Sequence, residues 1–313
     1  MKKPLVVLTG PTAVGKTKAS LGLAKALGGE IISADSMQVY QYMNIGSAKI
    51  RTKEMQGVPH FLVDVLKPWE EFHVVRFQQM AKAAMEGIYA RRHIPIVVGG
   101  TGFYIQALLY DIDFSENDGD ASYRQKLEQI AKERGERNLH ERLKAIDPAA
   151  ALKIHENNVK RVIRALEFYH QTGQRISEHN ERERQKESPY QFVYFVLNDD
   201  RKRLYERIDA RVDQMLKEGL VDEVAALRDM GCTRDMVAMQ GLGYKEIFAF
   251  LEGELSLDEA VYRLKRDTRH FAKRQITWFK REKEVIWINK DEYGYDEDRI
   301  LLDMIRYVRG ELG

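Results

Sequence analysis

The stretch GPTAVGKT at positions 10–17 has the spacing GxxxxGK[ST]. That spacing builds a cradle for phosphate. Glycines permit a tight loop, successive N–H groups then point at one anion, and the following helix N-terminus adds its dipole. Lys16 reaches phosphate oxygens, and the Thr17 hydroxyl can ligate Mg²⁺. Gly10, Pro11, Thr12, Ala13, Val14, Gly15, Lys16 and Thr17 are therefore the candidate phosphate-binding set. By pattern the loop is an ATP-binding motif, but its residues specify only a polyphosphate with a metal ion.

A kinase or ATPase built on such a loop carries an acidic residue at the end of another core strand. Here the apolar run 94–98 ends in Gly99-Gly100-Thr101-Gly102, without a carboxylate. The acid stands instead at Asp35, inside DSMQVY. In an open parallel sheet the carboxyl ends of the strands surround the ligand crevice, so the loop, Asp35 and Thr101 are expected to converge. A carboxylate there can orient Mg²⁺ or take a proton from a nucleophile. The plainer alternative makes Asp35 a turn or cap residue and Thr101 a turn hydroxyl.

These residues need a frame. The runs 5–9, 30–34, 61–65, 94–100 and 191–198 read as short buried strands, with helical spacing over 16–27, 74–92 and about 200–229. In the first helix Ala19, Leu23, Ala26 and Leu27 share a face, and Gly28-Gly29 ends it. Strands alternating with helices predict a parallel sheet wrapped by helices. From about 115 the polar stretch SENDGDAS marks a change, and 121–186 reads as helix after helix. Asp147-Pro148 begins one of these helices, and Asn157 or Asn158 caps another. The C-terminal third reads as helical. The fold class expected is α/β: a P-loop NTPase-like parallel sheet with flanking helices plus an inserted all-helical domain. The boundaries are 1–115 and 190–313 for the core, and 116–189 for the insertion.

The 313 residues suit such a core with a second domain, and 44% hydrophobic composition is enough to bury it. A net charge of +2 announces no nucleic-acid binder globally, so an RNA surface would be a local patch. One cysteine, Cys232, excludes an intramolecular disulfide and a cysteine metal cluster, and fits a reducing cytoplasm. No run approaches the ~18 apolar residues of a membrane span. A cytoplasmic monomer without membrane attachment is expected. His73 and His93 lack metal-ligand spacing and are assigned no role.

Taken together, GPTAVGKT, ISADSMQVY (32–40), IGSAK (45–49), VPHFLVD (58–64), IVVGGTGFY (96–104), VKRVIRALE (159–167) and TRHFAKRQITWF (268–279) resemble the tRNA dimethylallyltransferases. They do so in the family's order and over nearly the whole chain. Phe61 stands where the family usually has a second His, and Ser47 where it has Thr. Without zinc-finger spacing at the C-terminus, the chain resembles the compact bacterial form.

The resemblance implies transfer of a dimethylallyl group from dimethylallyl diphosphate to N6 of the adenosine at tRNA position 37, beside the anticodon. It implies that the loop holds an isoprenoid diphosphate, with Mg²⁺ at Thr17. Ionising an allylic diphosphate demands stabilisation of charge on the leaving group, which loop N–H groups, Lys16 and the metal suit. Asp35 is then the general base for a weakly nucleophilic amine, with Thr101 near the reacting centre and Arg211 a further cation on pyrophosphate.

For the tRNA, the implied contacts are Asp35, Ser36, Met37 and Gln38, with Thr101 and Arg124. The motifs Val159, Lys160, Arg161, Val162, Ile163, with Arg164, and Gln240, Gly241, Leu242, Gly243, Tyr244, Lys245 complete them. RNA read in sequence is mostly single-stranded, and a target base must leave its stack. Gln38 offers a donor and an acceptor to a base edge. The densest basic segment, 263–281, adds Arg266, Arg269, His270, Lys273 and Arg274, with Phe271, Trp278 and Phe279 as anchors. A solvated basic helix is the plainer reading. The rival functions are a small-molecule kinase with a helical lid, an adenylate isopentenyltransferase, and an RNA-binding protein without catalysis.

Overall fold

The computed structural model describes residues 2–114 and 121–312. The described core holds six strands: β1 (Lys3–Thr9), β2 (Gly29–Ser33), β3 (His60–Phe61), β4 (Ile94–Gly99), β5 (Tyr190–Asn198) and β6 (Val285–Asn289). They form one sheet in the order β3-β2-β4-β1-β5-β6, with every pairing parallel. Parallel strands cannot be joined by hairpins, so helices cross over and cover both faces. That is why β1 and β5 read as unbroken apolar runs. On β1 Val6 and Leu8 enter a cluster with Leu21, Leu23 and Ala24 of α1 (Lys16–Leu27), while Leu5 and Val7 are equally buried. α2 (Val74–Ala90) packs against β2 and β4, and α3 (Gly102–Leu109) follows β4 directly.

The chain divides into two compact units, Met1–Leu109 with Pro189–Gly313, and Tyr110–Ser188. The second unit contains α4 (Ala121–Arg134), α5 (Glu136–Ile146), α6 (Pro148–Lys153), α7 (Val159–Thr172) and α8 (Ile176–Gln185). Its own core gathers Leu127, Leu139, Leu143, Val162, Ile163 and Leu166. Asp147 caps α6 by accepting from the Ala150 N–H at 2.9 Å and also takes the Ser177 hydroxyl, which anchors α8. Asn158 occupies the cap position of α7. The expected boundary at 115–116 lies outside the described residues.

The first unit resumes with α9 (Arg201–Lys217), α10 (Leu220–Asp229), α11 (Tyr244–Leu251), α12 (Leu257–Phe279) and α13 (Glu297–Leu312). Several expectations need correction here. The helical run over 200–229 is two helices, broken at Gly219 with φ 98°. The C-terminal third is not wholly helical, because VIWIN forms β6 beside β5. The run 61–65 is no strand beyond Phe61: Leu62 (φ 62°) and Asp64 (φ 58°) take left-handed backbone, which turns the Asp64 side chain onto Lys49. On α1 the buried residues are Ser20, Leu21, Leu23 and Ala24, and Ala26 faces solvent.

Candidate active site

The carboxyl ends of β2, β4, β1 and β5 lie side by side, and each delivers one part of a crevice. β1 delivers the loop 10–15. Gly10 takes φ 143°, and a Cβ there would sit 2.4 Å from the Leu197 carbonyl, so only glycine fits the departure from the sheet. Gly15 (φ 105°) hands the loop to α1, whose first-turn N–H groups have no intrahelical partner. The Thr9 hydroxyl donates to the Gly99 carbonyl at 2.6 Å and ties β1 to the end of β4.

Lys16 Nζ donates to the carbonyls of Gly10 and Pro11, each at 2.9 Å. Burial pushes its pKa down to about 8; the Asp35 charge opposes that fall and the Arg211 charge adds to it. Arg211 on α9 is half-buried, and burial lowers its pKa too, against the pull of Asp35 and with the push of Arg207. Lys16, Asp35 and Arg211 thus feel one another as charges. Three residues far apart in sequence lie within electrostatic reach of one another.

Asp35 serves two ends at once. Its Oδ1 accepts the N–H groups of Met37 (2.8 Å) and Gln38 (3.3 Å), closing the turn that follows β2. That is the turn role weighed from the sequence, and it fixes the carboxylate's direction. Among the hydrogen bonds of the described residues, Oδ2 has no partner. Thr101 starts α3: its carbonyl accepts from Tyr104 at 2.9 Å and its N–H donates to Ala34 at 3.3 Å, linking the ends of β4 and β2. The Thr17 side chain is exposed on the first turn of α1. No group of three or more His, Cys, Asp or Glu suited to a metal occurs among the described residues. The Thr17 hydroxyl is a single hard oxygen donor, which fits a cation that takes its other ligands from phosphate oxygens and water, as Mg²⁺ commonly does.

The second ring of residues explains motifs that the sequence reading assigned to RNA. Tyr244 is fully buried. Its hydroxyl donates to Glu223 Oε1 at 2.8 Å and accepts the Ser47 N–H at 3.1 Å. Glu223 also takes the N–H groups of Asn44, Ile45 and Gly46 at 2.8, 2.8 and 3.1 Å. The loop 44–47 is therefore wrapped around a carboxylate. Met37 abuts Gly241, where a Cβ would meet its Sδ at 2.5 Å. So 35–38 and 240–245 come together, but Tyr244 is a buried support with no surface to offer a base. Gly241 and Gly243 are buried as well, Leu242 and Lys245 are half-buried, and Gln240 is exposed.

Gln38 is held within the protein at 3.3–3.4 Å. Its Nε2 donates to the Ser47 and Ala48 carbonyls and its Oε1 accepts from Ser33 Oγ, so both ends of the amide are engaged within the protein. Ser36 and Met37 remain half-exposed. In the helical unit Arg124, its side chain 53% exposed, makes a two-pronged pair with buried Glu167 at 2.8 and 2.9 Å. Val162 and Ile163 are buried and Val159 is half-buried, while Lys160, Arg161 and Arg164 are exposed. On α12 Arg269 pairs with Asp209 and Arg266 with Asp267, so much of that basic face is neutralised. His270, Lys273 and Arg274 are exposed, with Arg274 over the Phe271 ring at 5.7 Å. Phe279 is buried, and Trp278 meets Phe103 edge-on at 6.2 Å.

Three groups at the crevice escaped the sequence reading. Gln275 on α12 accepts the Thr12 N–H and donates to the Gly100 carbonyl, both at 2.9 Å. Lys49 is a buried ammonium that donates to the Tyr40 carbonyl, Asn44 Oδ1 and Asp64 Oδ1. It is the reason IGSAK and VPHFLVD stand together. Lys290 Nζ approaches the Val14 carbonyl at 3.4 Å from beneath the loop. None carries a periodic or spacing signal; membership of a quoted motif was the only available hint for the first two.

Comparison with known proteins gives the same frame. A family model described as IPP transferase matches residues 38–282, and one described as isopentenyl transferase matches residues 3–65. A protein from Lachnoclostridium phytofermentans described as a tRNA dimethylallyltransferase is 61% identical over 304 residues, covering 97% of each chain. The crystal structure of a Bacillus halodurans tRNA isopentenylpyrophosphate transferase is similar with TM-score 0.75 and 44% identity, covering 100% of this chain and 97% of that one. A eukaryotic dimethylallyltransferase acting on tRNA is similar with TM-score 0.80 and 30% identity, covering 92% of this chain and 74% of that one.

Proposed function

The chain belongs to the tRNA dimethylallyltransferase family, and from that premise we propose that it prenylates tRNA: it transfers the dimethylallyl group of dimethylallyl diphosphate to N6 of the adenosine at position 37. The products are N6-isopentenyladenosine and pyrophosphate. The observation that carries the reading is Lys16 on the phosphate loop with Arg211 and Asp35 within electrostatic reach of it, two cations for a leaving anion and one carboxylate for a proton.

The chemistry follows from that division. The C1–O bond of the allylic diphosphate breaks with its electron pair going to the leaving oxygen. Loop N–H groups, Lys16 and Arg211 hold the negative charge that builds there. Thr17 Oγ1 would help to hold a Mg²⁺, which would supply further neutralisation of the leaving group when bound. The lone pair of adenine N6 is delocalised into its ring, so attack on the allylic carbon is weak unless the proton leaves in step. Asp35 suits this: the turn holds Oδ1, which leaves Oδ2 to take the amine proton as the base. Thr101, at the adjoining strand end, lies beside the same centre.

A kinase reading loses on one observation: β4, the strand beside the loop strand, ends in Gly99 and leads into Gly100-Thr101 with no carboxylate. For the tRNA, the exposed cations Lys160, Arg161 and Arg164 of the helical unit suit phosphate contacts, as do Lys273 and Arg274 of α12. A cytoplasmic location follows from the substrate, and buried Cys232 suits a reducing compartment. Among the described residues no helix is long and apolar enough to cross a membrane.

The test uses the whole protein with Mg²⁺, labelled dimethylallyl diphosphate and unmodified tRNA, with AMP and ATP in parallel. Label is expected in tRNA and not in AMP; ATP consumption without prenyl transfer would overturn the proposal. Asp35→Ala should abolish turnover while largely sparing tRNA affinity, and wild-type turnover in that variant removes Asp35 as the base.

A further inference from the structure

α9 carries arginines at 203, 207 and 211, one per turn, each directly preceding a residue of the buried ridge Leu204, Ile208 and Val212. The ridge fixes the helix against the core, and the arginines beside it follow one line. Arg211 ends that line at Lys16 and Asp35. Arg207 stands one turn earlier, over the phosphate loop. A Cβ at Gly15 would lie 3.7 Å from Arg207 Nη2 and 3.5 Å from Lys290 Nζ. The loop is thus flanked by cations that the GxxxxGK[ST] spacing does not include.

Arg207 and Arg211 repel one another, and a buried carboxylate beside Arg207 offsets the cost. Asp199 follows the end of β5, and its side chain is wholly buried. Its Oδ1 accepts the Asp200 N–H at 2.8 Å, while Oδ2 is buried without a hydrogen bond. Arg207 Nη1 lies 3.9 Å from Oδ2, and Arg203 Nε 4.0 Å from Oδ1. Those separations give attraction without a hydrogen bond, so the donors of the guanidinium stay open to an anion. The Arg207 side chain is 42% exposed, which leaves it reachable from the crevice. A purely structural pair would close the hydrogen bond and satisfy Oδ2.

Resting on the diphosphate reading above, we infer that Arg207 is a second arginine on the departing diphosphate and that Asp199 is the positioning residue that holds it over the loop. As the C1–O bond breaks and its electron pair moves to the leaving oxygen, Arg207 donates N–H groups to the diphosphate one helical turn from Arg211. Asp199 keeps the guanidinium at the mouth of the loop while the site is empty and never touches substrate.

The experiment measures inorganic pyrophosphate binding by calorimetry, and prenyl transfer to tRNA, for the wild type, Arg207→Gln, Arg207→Lys and Asp199→Asn. For Arg207→Gln, pyrophosphate affinity and kcat should each fall by about tenfold or more, with the KM for tRNA and the thermal midpoint near wild type. Arg207→Lys should recover part of the affinity, since it keeps the charge and loses the fork. Asp199→Asn should show a smaller loss of pyrophosphate affinity with the same unchanged tRNA KM. If Arg207→Gln binds pyrophosphate as the wild type does, the inference is wrong while the diphosphate reading stands. Variants that only melt earlier, with affinity intact, make the pair structural and also overturn it. A wild-type protein that binds no pyrophosphate sinks both.

Discussion

Gln275 offers the sharpest test of how the crevice is held. Its side chain links the phosphate loop, through Thr12, to the Gly100-Thr101 turn that starts α3. Gln275 is 6% exposed, so these bonds are shielded from water. Gln275→Leu keeps the approximate volume and removes both polar ends. The Thr12 N–H and the Gly100 carbonyl are then left unpartnered. A buried group in that state costs about 1–3 kcal/mol. Partial rescue by water brings the pair to about 2–4 kcal/mol of unfolding free energy. Function should suffer separately, because Thr101 and the loop N–H groups lose their mutual register. Misplacement by about 1 Å costs rate by about 10²-fold. Urea unfolding reads the first effect, and single-turnover prenyl transfer to tRNA reads the second. Gln275→Glu is the control of geometry. One carboxylate oxygen still accepts from Thr12, but the other faces the Gly100 carbonyl, acceptor against acceptor. Protonation restores a donor, so this variant's defect should shrink as pH is lowered. A Gln275→Leu protein within about 0.5 kcal/mol of wild type and fully active would refute the reasoning.

Two further outcomes follow from groups on either side of the sheet. Only the protonated Lys16 ammonium attracts a diphosphate, and burial holds its pKa near about 8 in the free protein. Below that pH the charge is present before binding; above it a proton must be taken up on binding, so pyrophosphate affinity should fall by up to about tenfold per pH unit. Calorimetry from pH 7 to 9.5 checks this at about unit spacing, and Lys16→Arg, which stays charged, should flatten the profile. Glu30 is 2% exposed and accepts from Arg91 at 2.8 and 2.7 Å and pairs with His93 at 2.6 Å. Arg91, first, lowers its pKa. A lowered carboxylate contributes stability that is present above its unfolded value and lost as pH falls through the folded one. Glu30→Gln should therefore cost about 1–3 kcal/mol by urea unfolding at neutral pH, discounted for the exposed partners. The gap from wild type should close in acid, with turnover at saturation unchanged.

The phosphate loop was legible because its function is backbone geometry, and backbone geometry is written as glycine spacing. Asp35 and Thr101 were legible for a related reason: each directly follows a short apolar run, and the ends of such runs border the crevice. β6 was not. VIWIN is five residues between a charged helix end and an acidic turn, and nothing local separates it from a helical continuation. The run at 61–65 misled in the opposite sense. Its apolar residues suggest a strand, but Asp64 must turn onto Lys49, and the left-handed residues that achieve this leave no trace in composition.

The site residues divide by the same logic. A motif records both the groups that touch a substrate and the groups that build the wall behind them, and residue type alone does not tell the two apart. Tyr244 and Gln38 have side chains suited to reading a base, yet the fold supplies partners to both: Glu223 and the Ser47 N–H for Tyr244, and Ser33 with the Ser47 and Ala48 carbonyls for Gln38. Arg124 pairs with Glu167 through two of its donors and stays half exposed. What separates builder from toucher is whether a polar group's partners are already supplied by the fold. Lys160, Arg161 and Arg164 differ on that criterion, being exposed on a helix whose apolar face is buried. For Arg207 the criterion is sharper still, because its carboxylate partner stands at 3.9 Å, close enough to hold the charge and too far to consume its donors.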